Sequence, residues 1–280
     1  MSIEVFSKRK QRNSSRKDIK MKKVLVFVVV LANLVLGVLG FSRVSSEEFE
    51  RIMDKALKEY DKGNKQRAIS TLKEEISKDP SAIELKVMLG ALYTDMGKNS
   101  EGNRELNEAV EMQKKYPFVA DDGKKYDIRL LIGSIYMEME EYEKSLKWFS
   151  EIDDNYMKGL VGFKEYLIGL SNYMLGNTEE AKKYLLKSYV EDEDGLSENI
   201  LGQIYFDEGN QKEAIKWFLK SESKGNSGAQ ASLGIMYYQL GDKDVGLKWL
   251  KKAFETAKKD KDDEQMKDIQ EVIKEVENDN

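Results

Sequence analysis

The chain is 280 residues long, with 35% charged residues, only 2 prolines and a net charge of −5. It contains neither Cys nor His, so disulfides, thiolate nucleophiles, zinc thiolates and the usual general base and metal ligand are all excluded. Ser, Lys and carboxylate chemistry remain, but nothing concentrates it, and the expectation is a protein that binds rather than catalyses, with no cofactor and no metal.

Residues 1–23 form a basic tail: nine Lys and Arg face two acids, a net of +7 that leaves −12 on the rest of the chain. Residues 24–41, VLVFVVVLANLVLGVLGF, run 18 long without a charge. As a helix they would cover about 27 Å, a short bilayer span. Arg43 is followed by Glu47, Glu48 and Glu50, so the positive-inside rule places the N-terminus in the cytoplasm and the rest outside it. The expected topology is a single-pass anchor at 24–41 and a linker at 42–46. A cleaved signal is the alternative, because Met21 could start the chain and VSS (44–46) resembles a cleavage site; the product would then be exported and soluble. The basic run abuts an apolar helix without interleaved aromatics, which favours topology or anionic lipid over nucleic acid.

From residue 47 a pattern recurs: LGALYTDMG (89–97), IGSIYMEME (132–140), IGLSNYMLG (168–176), LGQIYFDEG (201–209) and LGIMYYQLG (233–241). The leading glycines are 43, 36, 33 and 32 residues apart, a period that predicts stacked antiparallel helix pairs. Gly63, Gly97, Gly176, Gly209 and Gly241 occupy the turns between paired helices. Asn64, Asn177, Asn210 and Asp242 follow them as expected helix caps, and Glu180 and Glu213 stand at capping-box spacing. Glu140 stands where a turn Gly is expected, Gly102 and Gly246 replace a second-helix Ala, and YPFVADDGKKYD (116–127) lengthens one connection by about nine residues relative to the repeat period. Gly90, Gly133, Gly169, Gly202 and Gly234 are read as close-approach positions between paired helices. Trp148, Trp217 and Trp249, with Tyr184 at the equivalent place, are read as packing between repeats rather than as a binding row. In the tail, 262–280, Met266, Ile269, Val272, Ile273 and Val276 share one face, as in a helix capping the last repeat.

These residues resemble the tetratricopeptide repeat family: Ala56, Ala68, Leu72 and Pro80 in 49–82, then Leu89, Gly90, Tyr93, Leu106 and Ala109 in 83–116. Residues 195–260 are more similar to its Sel-like relatives, through AIKWFLKSESKGNSGAQASLGIMYY (214–238). The resemblance covers 47–261 and implies an all-α, right-handed solenoid of about six helix pairs with a capping helix; the apolar run 24–41 adds one transmembrane helix before it.

It also implies where a partner would lie. Projecting the family's groove positions of the first helices selects Tyr60, Asp61, Asp95, Glu138, Tyr166, Tyr173, Phe206, Asp207 and Tyr238 as candidate partner-binding residues, with Met53, Leu57, Val87, Thr94, Leu130, Met137, Leu170, Met174, Ile200, Gln203, Ile235 and Gln239 beside them. None is Lys or Arg, which argues against a clamp on a terminal carboxylate. An apolar or aromatic peptide with basic residues fits the set better. The expected function is therefore a non-enzymatic, membrane-tethered scaffold or chaperone-like adaptor of the cell envelope. An accessory or carbohydrate-binding module, stacking sugars on exposed rings, is the alternative. VEDEDGLSENIL (190–201) fails as a calcium loop because Val190 and Leu201 fall where carboxylates are required. Phosphate-loop, Ser-elbow and HExxH motifs are lacking.

Overall fold

The computed structural model describes residues 46–119, 125–156, 162–189 and 193–279. The basic tail and the expected span at 24–41 lie outside them; among the described residues no helix is long and apolar enough to cross a membrane. The described residues form thirteen α-helices in two compact units.

The N-terminal unit holds α1 (Ser46–Asp61), α2 (Lys65–Lys78), α3 (Ile83–Asp95), α4 (Asn99–Met112), α5 (Ile128–Glu138) and α6 (Tyr142–Ser150). The C-terminal unit holds α7 (Phe163–Met174), α8 (Thr178–Ser188), α9 (Leu196–Asp207), α10 (Gln211–Glu222), α11 (Ser227–Gln239), α12 (Lys243–Lys259) and α13 (Asp263–Asn278). Within each unit, α1/α2, α3/α4, α5/α6, α7/α8, α9/α10 and α11/α12 are the principal packed pairs, and α13 packs on α12.

The turns explain the pairing. A residue with positive φ ends each first helix, and the next backbone N–H reaches back five residues, as Lys98 does to the Tyr93 carbonyl at 2.8 Å and Asp242 to that of Tyr237 at 2.9 Å. Glu140 adopts φ 59° and keeps the same bond, Glu141 to Tyr136 at 2.9 Å, so the pattern survives loss of its glycine. The caps are less uniform than the sequence implies. Asn210 accepts from the Glu213 N–H and Asp242 from that of Val245. The side chains of Asn64 and Asn177 make no such bond; their amides donate back to Glu59 and Asn172, satisfying the preceding helix instead.

Between paired helices the small positions do the packing. A Cβ added at Gly202 would lie 2.5 Å from the Phe218 ring, and one at Gly246 would lie 2.8 Å from the Gly234 carbonyl oxygen. In α9/α10 a bulky second-helix side chain fills the space of the missing methyl; in α11/α12 the two backbones themselves meet. Ala68, Ala181 and Ala214, equivalent to Gly246, are fully buried, as is Ser145. Trp148 and Trp217 are buried and Trp249 is half-buried, in keeping with a packing role.

The long connection 116–127 contains what helical periodicity does not show, a two-stranded antiparallel ribbon. Strand β1 (Phe118–Val119) pairs with β2 (Lys125–Tyr126), Phe118 opposite Tyr126. Phe118 and Tyr126 are buried, and Asp127 then caps α5 through the Arg129 N–H. The α13 helix closes the C-terminal unit: Ile269 is buried with Ala253 and Ala257, with Met266, Ile273 and Phe254 around it.

Candidate partner-binding face

Each first helix ends by presenting a residue three places, and another two places, before its turn. These positions hold Tyr60 and Asp61 in α1, Thr94 and Asp95 in α3, and Met137 and Glu138 in α5. In the C-terminal unit they hold Tyr173 and Met174 in α7, Phe206 and Asp207 in α9, and Tyr238 and Gln239 in α11.

The structure pairs these residues with one another. The Tyr60 hydroxyl donates to Asp95, one helix pair further on, and Lys65 also reaches that carboxylate at 3.2 Å. One repeat-length pairing recurs in the other unit: the Tyr173 hydroxyl donates to Asp207 at 2.8 Å, while the Gln203 amide donates to the other oxygen at 2.9 Å. The Tyr238 hydroxyl donates to Asp279, just beyond α13, and Lys243 holds the Asp279 and Glu277 carbonyls. Each clasp ties one first helix to the next or to the capping helix. Where Phe206 lacks the hydroxyl, the next repeat carries Gln239 in place of an acid.

The clasps change the electrostatics expected of this face. Asp95 and Asp207 accept hydrogen bonds from within the chain, so they are not a free acidic rim. The phenols respond in turn: burial first, and the bond to Asp207 second, push Tyr173 above its ordinary value of 10.0. The bond to Asp279 and then burial raise Tyr238 likewise. Burial, with the charges of Glu140 and Glu138, lifts the nearby Tyr142 phenol to about 12.

The two units differ in how much of this face they leave open. In the N-terminal unit Tyr60 is 3% exposed, and Met53, Val87, Thr94 and Leu130 are also buried. Tyr60 therefore belongs to the core, Asp61 is exposed beside it, and Glu138 is half-buried. In the C-terminal unit Tyr166, Leu170, Tyr173, Ile200, Phe206, Ile235 and Tyr238 are all half-buried, and Met174 is 41% exposed. Helices α7, α9 and α11 touch in succession, so these side chains form one apolar and aromatic strip. Tyr166 stacks on Phe163 at 5.9 Å between ring centres, and Phe206 packs against the Phe218, Leu233 and Met236 cluster.

Of the nine candidate residues, Tyr166, Tyr173, Phe206, Asp207 and Tyr238 share the C-terminal unit, whereas Tyr60, Asp61, Asp95 and Glu138 lie in the N-terminal unit. Asp279 escaped the sequence reading because it stands 41 residues from Tyr238, off the repeat period. The pairing of Tyr173 with Asp207 spans 34 residues, one repeat period, but the sequence reading placed both on the face without joining them.

No cluster of three or more acidic residues that could hold a metal occurs among the described residues. The profile of the tetratricopeptide repeat matches residues 126–153 and 199–223, which correspond to α5/α6 and to α9/α10.

At those two stretches the chain carries tetratricopeptide repeats.

Among solved structures, the chain is similar to PilW, a type IV pilus biogenesis factor, at 12% identity over 79% of this chain and 97% of that one, with a TM-score of 0.45. PilF of Pseudomonas aeruginosa is 14% identical over 80% and 96%, with a TM-score of 0.44. YrrB, described as a TPR protein with an unusual peptide-binding site, is 16% identical over 66% and 91%, with a TM-score of 0.39. No curated protein sequence matches the chain.

Proposed function

We propose that the protein is a non-enzymatic scaffold or chaperone-like adaptor of the cell envelope, tethered by residues 24–41, that binds a segment of a partner protein along the first-helix strip of its C-terminal repeats. The observation that carries the reading is the strip itself: Tyr166, Leu170, Ile200, Phe206 and Ile235 remain half-exposed on three touching helices. Helical-repeat stacks build extended binding surfaces from neighbouring first helices. Aromatic anchors in such a surface supply most of the affinity.

The clasps refine the partner's chemistry. With Asp207 engaged by Tyr173 and Gln203, the partner's main contribution to the C-terminal strip is an apolar or aromatic anchor, and basic residues add only steering through the negative charge that Asp207 keeps. Tethering and export rest on the uncharged 24–41 stretch and its +7 flank. In this reading the C-terminal pairs are the Sel-like variants of the array.

Panning a random-peptide display library against the intact protein, with the Phe206→Ala variant as the counter-screen, tests the site. Selected peptides should carry an apolar or aromatic anchor and bind the variant at least tenfold more weakly while its helicity is retained. Peptides that bind both forms equally place the site elsewhere.

A further inference from the structure

A second pattern lies on the opposite helices of the C-terminal unit and is unused by the strip. Lys183-Tyr-Leu-Leu-Lys187 in α8, Lys216-Trp-Phe-Leu-Lys220 in α10 and Lys248-Trp-Leu-Lys-Lys252 in α12 occupy one register. Each places two lysines four residues apart around the packing aromatic. All six are exposed. Like charges at that spacing repel and weaken a helix, so the fold itself does not call for them. The equivalent run in α6 is Lys147-Trp-Phe-Ser-Glu151, where the second charge is reversed; the ladder belongs to the C-terminal unit.

Part of the charge is neutralised and part is not. Lys183, Lys216 and Lys252 have carboxylates close by, Glu180 at 2.9 Å, Glu213 at 3.1 Å and Glu222 at 2.5 Å, and Lys251 pairs with Glu277. Lys220 caps the Trp217 ring at 3.9 Å, and Lys187 lies over Tyr184 at 5.2 Å. Lys248 has neither a carboxylate nor a ring among the described residues. The rungs are adjacent: Lys220 also lies over Tyr189, which follows α8, and Lys252 reaches Glu222 of α10.

Two further features identify the kind of surface that would face this ladder. Leu186 and Leu219, at the same position in successive rungs, are 42% and 41% exposed, two of the four large apolar side chains most open to solvent among the described residues. And the chain has no Arg after Arg129, so every cation of this unit is a lysine. Arginine suits stereospecific pairing with discrete carboxylates or phosphates, whereas lysine is a point charge on a flexible stem. Exposed leucines set among lysines suit an interface where apolar groups enter lipid and the ammonium groups stay at the headgroups.

We infer that the outer face of α8, α10 and α12 rests on an anionic lipid surface, with Leu186 and Leu219 entering the headgroup layer and the lysine ladder holding the unit against it. The opposite strip is thereby left facing away from the lipid. This contact is independent of the partner strip and of the 24–41 tether.

The chain has no cysteine, so a single reporter can be placed by Leu219→Cys, with Leu170→Cys on the strip as control. The full-length protein, labelled with a polarity-sensitive fluorophore, is added to phosphatidylcholine vesicles with and without phosphatidylglycerol. The proposal expects the label at 219 to be shielded from an aqueous quencher only on the anionic vesicles and only at low salt, with the label at 170 accessible throughout. Each lysine near an anionic surface contributes a factor of roughly five. Lys216→Gln with Lys220→Gln should therefore lower the docking equilibrium reported by the label at 219, rather than the attachment of the whole chain, about 25-fold, with unchanged helicity by circular dichroism. Equal shielding on neutral vesicles, no shielding on either, or shielding by polyglutamate without lipid would each overturn it, the last in favour of an acidic protein partner.

Discussion

The Tyr173–Asp207 clasp offers a quantitative test of how neighbouring repeats are held. Tyr173→Phe removes only the hydroxyl, and Asp207→Ala removes an exposed acceptor, so neither leaves a cavity or a buried charge. A hydrogen bond to a charged group contributes about 1.5 to 3 kcal/mol. Asp207 is exposed and shared with Gln203, which brings the expected coupling down to about 1 kcal/mol. A double-mutant cycle in a Trp148→Phe background isolates it, because Trp217 and Trp249 then report urea unfolding of the C-terminal unit alone. The clasp also sets a pH dependence. A phenol raised above 10.0 in the folded state holds its proton more tightly there than in the unfolded chain. Its contribution is complete below that pH and is lost as pH climbs through the raised folded value. The parent should therefore lose stability from pH 10 upward more steeply than Tyr173→Phe. Coupling below about 0.3 kcal/mol, together with identical alkaline profiles, would refute the clasp.

Three further predictions concern the packing. Gly202→Leu should destabilise the C-terminal unit by about 1 to 3 kcal/mol in the same urea assay, because Phe218 is buried 2.5 Å from the added Cβ and has nowhere to retreat. Glu140→Gly should raise stability by about 1 kcal/mol in thermal melts, since it relieves a left-handed conformation that a side chain disfavours. Deleting residues 262–280 should expose Ala253, Ala257 and Phe254 and cause concentration-dependent association in sedimentation experiments, as loss of a terminal cap does in stacked repeats.

Much of the fold is legible because one constraint repeats. A glycine opposite Leu106, Phe149, Leu185, Phe218 or Leu250 recurs in five of the six helix pairs, with Ala56 at its place in α1/α2, and a period of identical problems makes identical solutions visible. The ribbon at Phe118 and Tyr126 is not legible, since two-residue strands carry no period. Asn64 and Asn177 look like caps, yet their oxygens accept no helix N–H and their amides donate back to Glu59 and Asn172. The candidate face is legible by position but not by state. A projected site names Tyr60 and Tyr173 alike, and only three-dimensional packing buries one and leaves the other half-open. Nor does a sequence position say that an acid's hydrogen-bonding capacity is already taken by a tyrosine 34 residues away.

The central claim is that partners engage the first-helix strip of the C-terminal repeats, and site-specific photocrosslinking in intact cells tests it most directly. A photoreactive residue placed at Leu170 or Phe206 should give discrete adducts with a partner polypeptide, while one at Leu219 on the outer face should give none. Adducts formed only from position 219, with positions 170 and 206 silent in a folded protein, would contradict the account.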